Sequence, residues 1–114
     1  MKKIYYLKSC STCLRILKEI DTFEFRLQDI KSEPISLAQL EEMYSLTNSY
    51  EALFNRRSKK FSAMDLKNQV LTEREYKQLI LDEYTFLKRP VFIVDNKIFV
   101  GNAKKTIDLL KKLL

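Results

Sequence analysis

Histidine is absent from this chain, and one glycine and two prolines stand among its 114 residues. Without histidine there is no Ser–His–Asp arrangement, and two cysteines alone fall short of the four ligands a zinc site usually takes. The single glycine rules out a Gly-rich phosphate loop. So little Gly and Pro argues against a loop-rich, all-β or disordered chain, and helices are expected to dominate. No run approaches the roughly 18 apolar residues of a membrane span. The stretch Met1-Lys2-Lys3-Ile4-Tyr5-Tyr6-Leu7 is too short and too aromatic for a signal peptide, so a cytoplasmic location without membrane contact is expected. In that reducing compartment two close cysteines suggest catalysis, redox sensing or metal rather than a structural staple. The net charge is +6, but Lys and Arg are scattered among Asp and Glu instead of forming the clustered footprint of nucleic-acid binding. No direct DNA binding is expected.

The length fits one domain, residues 1–114. Ile4-Tyr5-Tyr6-Leu7 reads as a buried strand. A helix follows, with Leu14, Ile16, Leu17 and Ile20 on its apolar face and Ser9 or Ser11 as its cap. The period-two alternation of Phe23-Glu24-Phe25-Arg26-Leu27 predicts a second strand. Such a β–α–β unit requires a parallel pair and a right-handed crossover. After the connector Asp29–Pro34, Ser36 caps a helix through Leu37, Leu40, Met43, Tyr44 and Leu46. From Tyr50 to Tyr84 the spacing is helical, and Thr72 with Glu75 forms a capping box that turns Tyr76, Leu79, Ile80 and Tyr84 inward. Val91-Phe92-Ile93-Val94 is a central strand opened by Pro90, and Asp95-Asn96 turns it into Lys97–Val100. The last helix, Ala103 to Leu114, offers Ile107, Leu110, Leu113 and Leu114 as its apolar face. The order β–α–β, helices, β–β–α predicts an α/β protein with the thioredoxin/glutaredoxin arrangement: a four-stranded mixed sheet with a helical insertion at about 36–86. A ferredoxin-like fold would place strands in the middle segment, where no strand signal exists.

Cys10-Ser11-Thr12-Cys13 is the sharpest chemical signal. Only a thiolate is nucleophilic, and the orphan N–H groups and partial positive charge at a helix N-terminus favour it. The spacing sets Cys13 beside Cys10 on the first turn, so Cys10 is the expected nucleophile and Cys13 the resolving thiol. A buried pair or half of a zinc site would also fit the spacing alone. Arg89-Pro90 is the second signal. A trans proline that merely opens the strand is one reading; a cis proline facing the reactive cysteine, as in thioredoxin-like folds, is the other. In the latter case Arg89 lies near Cys10, where it lowers the thiol pKa or binds an oxyanion. The basic cluster Arg56-Arg57-Ser58-Lys59-Lys60 reads either as a solvated helix face or as a second arm of an anion site.

Taken in order, these segments resemble the ArsC/Spx family of arsenate-reductase-like proteins. The resemblance rests on Ser9-Cys10-Ser11-Thr12-Cys13, on Asp29-Ile30-Lys31-Ser32-Glu33-Pro34-Ile35-Ser36, on Arg57-Ser58-Lys59, on Leu87-Lys88-Arg89-Pro90-Val91 and on Val100-Gly101. It implies a thiol-dependent oxidoreductase. Cys10 would attack an oxyanion or disulfide, Arg57 and Arg89 would bind the anion, and Ser11 and Thr12 would contact it from the first helical turn. No bound cofactor is implied; glutathione or glutaredoxin would supply electrons, and thioredoxin would be a further thiol partner. The chain departs from the arsenate-reducing pattern at two places. The His-Asn-Pro lead-in to the cysteine is replaced by Tyr6-Leu7-Lys8, and no third arginine stands near Val100-Gly101-Asn102. Spx-type members imply a different role: a redox-sensing transcription regulator that binds the RNA polymerase α subunit and uses Cys–X–X–Cys as a switch. Ser49 occupies the position of the glycine used in that contact.

Overall fold

A computed structural model describes residues 1–64 and 69–114; positions 65–68 of the expected helical stretch lie outside the described residues. The chain divides into two compact units, Met1–Pro34 with Arg89–Leu114, and Ile35–Lys88.

The first unit holds the sheet. Strand β1 spans Lys2–Tyr6, helix α1 Ser11–Lys18 and strand β2 Arg26–Asp29. Strands β3, Val91–Val94, and β4, Lys97–Val100, close the sheet in the order β2-β1-β3-β4. β1 runs parallel to β2 and antiparallel to β3, and β4 is antiparallel to β3. The β–α–β unit and the hairpin are thus joined through the two central strands, β1 and β3. Asp95 takes a left-handed conformation, φ 56°, in the hairpin turn, as a short polar residue tolerates. After β4, Gly101 turns the chain at φ 89°, a region that suits glycine, and its N–H donates to the Pro90 carbonyl at 2.9 Å. One side of the sheet contributes Ile4, Tyr6, Phe92 and Val94 to an apolar cluster. Cys13 and Ile16 of α1 complete it, with Ile107 and Leu110 of the last helix (Lys104–Leu113).

Several sequence expectations shift. The second strand begins at Arg26, not Phe23, because residues 21–25 are turning: Phe23 N–H donates to Asp21 Oδ1 at 3.0 Å and Phe25 N–H to the Thr22 carbonyl at 2.9 Å. Phe23 is consequently 91% exposed, while Phe25 is buried edge-to-face on Phe92. Gln28 takes a buried place in β2 and satisfies its amide on the Glu33 carbonyl at 3.0 Å. Leu14, Leu37, Leu113 and Leu114, all read as core, are exposed. In α1 the buried stripe runs through Cys13 and Ile16, and in the last helix through Ile107 and Leu110.

The second unit is helical. Helix α2 spans Leu37–Thr47, α3 Lys59–Ala63 and α4 Glu73–Asp82, so the helix Lys104–Leu113 is α5. Both expected caps form. Ser36 pairs reciprocally with Gln39, and Thr72 with Glu75, each satisfying two backbone N–H groups that the helix leaves open. The core of this unit is aromatic: Phe54 lies 5.0–5.2 Å, centroid to centroid, from Phe61, Tyr76 and Phe86. An antiparallel bridge, Phe54 to Leu87, ties two apolar connectors of the unit together. No helix of the described residues is long and apolar enough to cross a membrane.

Candidate functional site

Strand β1 ends at Tyr6, and four residues later the chain must enter α1. The turn is closed by the Cys10 N–H on the Leu7 carbonyl at 3.0 Å. Cys10 is the N-cap itself, with extended backbone (φ −95°, ψ 108°) and its carbonyl accepting from Leu14 N–H at 3.1 Å. The expected cap by Ser9 or Ser11 does not form: Ser11 is already the first helical residue, and Cys10 takes the N-cap position. Ser11 is exposed and Thr12 half-buried on the first turn.

Both cysteines are free thiols, and their surroundings differ sharply. Burial alone would push the Cys10 thiol up. The Cys13 backbone N–H, the Cys13 thiol and the Arg89 guanidinium outweigh it, and the Cys10 pKa falls below its ordinary value. Cys13 is 0% exposed inside the apolar cluster. Burial dominates there, and with the neighbouring Cys10 sulfur it pushes the thiol up to about 12, against the Leu7 backbone N–H and Arg89. Arg89, half-buried, thus acts on both sulfurs from the residue before Pro90. The Arg89–Pro90 peptide is cis. A partly exposed thiol with a lowered pKa thus stands beside a buried thiol held neutral, and of the two sulfurs Cys10 is the more readily ionised.

Cys10, Ser11, Thr12, Cys13, Arg89 and Pro90 therefore all fall in the first unit, while Arg57 falls in the second. Arg57 is exposed there, its N–H bonded to Asn55 Oδ1 at 3.1 Å. The rest of that basic cluster is not a uniform solvated face. The Arg56 guanidinium bonds the Tyr76 hydroxyl and lies over the Phe61 and Tyr76 rings at 5.9 and 5.5 Å. Ser58 is buried with its hydroxyl 3.1 Å from that of Thr85, and Lys60 pairs with Glu83 at 2.6 Å. Among the described residues no group of three or more Cys, Asp or Glu side chains is placed to hold a metal ion. Sequence reasoning missed the backbone contributions of Leu7 and Cys13, which carry no residue-type signal.

A mixed sheet in the order β2-β1-β3-β4, with a thiol capping the helix that follows β1, defines a thioredoxin-fold thiol protein with a helical second unit. The chain belongs to the ArsC family, whose model matches residues 5–109. Among curated relatives it is similar to the global transcriptional regulator Spx of Lactiplantibacillus plantarum, 25% identical over 101 residues that cover 86% of this chain and 76% of that protein. Among solved structures it resembles an arsenate reductase (ArsC) related protein from Brucella melitensis, with a TM-score of 0.69 and 26% identity over 97% of this chain and 94% of that one. It also shares the fold of the arsenate reductase from Vibrio cholerae, with a TM-score of 0.79 at 12% identity, covering 99% of this chain and 97% of that one.

Proposed function

We propose that this chain is a cytoplasmic thiol-dependent oxidoreductase in which Cys10 reduces an oxyanion or a disulfide and Cys13 resolves the intermediate. The observation that carries the reading is the seat of Cys10 at the N-cap of α1, with Arg89 and the Cys13 backbone N–H lowering its pKa. On a disulfide, the Cys10 thiolate attacks one sulfur and expels the other as a thiolate. Cys13 then gives up its proton and attacks the Cys10 sulfur, releasing the second substrate thiolate and leaving a Cys10–Cys13 disulfide. Two electrons pass from the two thiols to the substrate, and glutathione or glutaredoxin restores them. On an oxyanion such as arsenate, the Cys10 sulfur displaces a hydroxide from the central atom. A second thiol then attacks that sulfur, so the bonding pair stays on the central atom and reduces it. Arg89 and the first turn at Ser11 and Thr12 supply positive charge and donors to the anion. Arg57 is kept as an anion-binding candidate on its match to the family motif alone.

The test is arsenate turnover by the purified protein coupled to glutathione and glutaredoxin, with Cys10→Ser as control. Turnover that vanishes in Cys10→Ser supports the reading; turnover retained there removes Cys10 as nucleophile. A second reading, a redox-sensing regulator, is favoured by the similarity to a protein named as a transcriptional regulator and by the Cys–X–X–Cys pair. It predicts no arsenate turnover, a reversible Cys10–Cys13 disulfide, and capture of the RNA polymerase α subunit by the oxidised chain.

A further inference from the structure

The turn that delivers Cys10 to the N-cap is only four residues long, Leu7 to Cys10, and it carries no proline to stiffen it. One of its bonds is internal, from Cys10 N–H to the Leu7 carbonyl. Another comes from outside the turn. Lys8 N–H donates to Asp29 Oδ1 at 3.2 Å, and Asp29 pairs with Tyr6 at the end of the parallel β1–β2 ladder. The same carboxylate is held on its other side, where the Ser32 hydroxyl donates to Oδ2 at 2.9 Å. The backbone around it is fixed as well: Glu33 N–H donates to the Asp29 carbonyl at 2.8 Å, and Ile30 N–H to the Tyr6 carbonyl at 2.9 Å. Burial alone would push the Asp29 carboxyl up. The backbone N–H groups of Lys8, Lys31 and Ser32 with the Ser32 hydroxyl prevail and hold it below the usual carboxylate range, so it is ionised at neutral pH. Bonds to an ionised acceptor are the stronger kind.

We propose that Asp29 is a positioning residue for the reactive sulfur: its carboxylate clamps the turn after β2 to the turn before α1 and so fixes the approach of Cys10 to the first-turn N–H groups. The proposal rests on Cys10 being the reactive thiol, but it concerns the acidity of that thiol rather than any substrate. Two effects of Asp29 oppose each other and can be separated. As a negative charge it disfavours the thiolate; as a clamp it favours the thiolate by holding Cys10 in place.

The test is the pH profile of Cys10 alkylation by iodoacetamide in the reduced full chain, the modified site located by peptide mass, with circular dichroism to confirm folding. Asp29→Ala is expected to move the profile to higher pH, with alkylation about three- to ten-fold slower near pH 6.5, since rate follows the thiolate fraction. Asp29→Asn, whose amide oxygen still accepts from Lys8 N–H, is expected to stay within about two-fold of the parent. A folded Asp29→Ala with an unchanged profile overturns the proposal. So does a shift of both variants to lower pH, which is the signature of charge acting alone. Should Asp29→Ala lose its helical signal, Ser32→Ala decides. It removes the hydroxyl bond to Oδ2 while keeping the charge and the backbone N–H bonds, a smaller shift to higher pH is expected, and an unchanged profile overturns the assignment. Alkylation needs no turnover, so loss of the clamp and failure of the reductase reading are read separately.

Discussion

Cys10 and Cys13 stand on one helical turn, yet the fold drives their acidities apart, Cys10 below its ordinary value and Cys13 up to about 12. In the unfolded chain both ionise near ~8.5. A thiol with a depressed folded pKa adds stability that is full above the unfolded value and lost as pH falls through the folded one, which is the case for Cys10. A thiol with a raised pKa does the reverse. The Cys13 contribution is full below about 8.5 and drains away as pH rises toward about 12, because the folded state holds a proton that the unfolded state releases. Urea titrations of the reduced protein are therefore expected to lose about 1 kcal/mol per pH unit from Cys13 above about pH 8.5. Cys13→Ala, less stable at neutral pH through its small cavity, is expected to show a flatter decline over that range. Parallel curves would mean that burial does not hold the Cys13 thiol neutral.

At the scale of elements, the reciprocal caps are the features that sequence spacing locates best, since a cap needs only neighbours along the chain. Ser36 caps its helix and Thr72 pairs with Glu75 where the spacing places them, and the structure adds Gln39 as the reciprocal partner of Ser36. Thr72→Ala removes the acceptor of the Glu75 N–H, and is expected to cost about 1 kcal/mol in urea unfolding; a loss well below half of that would show that water replaces the cap. Strand β2 behaves differently. Its alternation, Phe23-Glu24-Phe25-Arg26-Leu27, is a local pattern, but its start is set by pairing with β1, Lys3 opposite Arg26, and by the turn that bends residues 21–25. Amphipathic ends misled in the same way. Leu113 and Leu114 continue the apolar stripe of α5 and are exposed, while Ile107 and Leu110 of the same stripe are buried.

At the scale of the whole molecule, β1 and β3 are the inner strands of the sheet, and all four residues of β3 are buried. Their amides are paired within the interior, whereas β2 and β4 each keep one open edge. Native-state hydrogen exchange is expected to be slowest in β1 and β3 and faster in β2 and β4; edge strands as protected as the inner pair would contradict this. The sequence by itself determined the element order, the mixed four-stranded sheet, the Ser36 N-cap, the Thr72–Glu75 capping box and the place of Cys–X–X–Cys at a strand-to-helix turn. These follow from local periodicity, capping chemistry and residue type, all of which are written along the chain. Only the tertiary structure decided the start of β2, the exposure of Phe23 and Leu14, the capture of Arg56 by Tyr76, the opposite acidities of the two thiols, and the bond from Lys8 to Asp29. Each of these depends on burial or on a partner distant in sequence, and neither burial nor a distant partner is a property of any one segment.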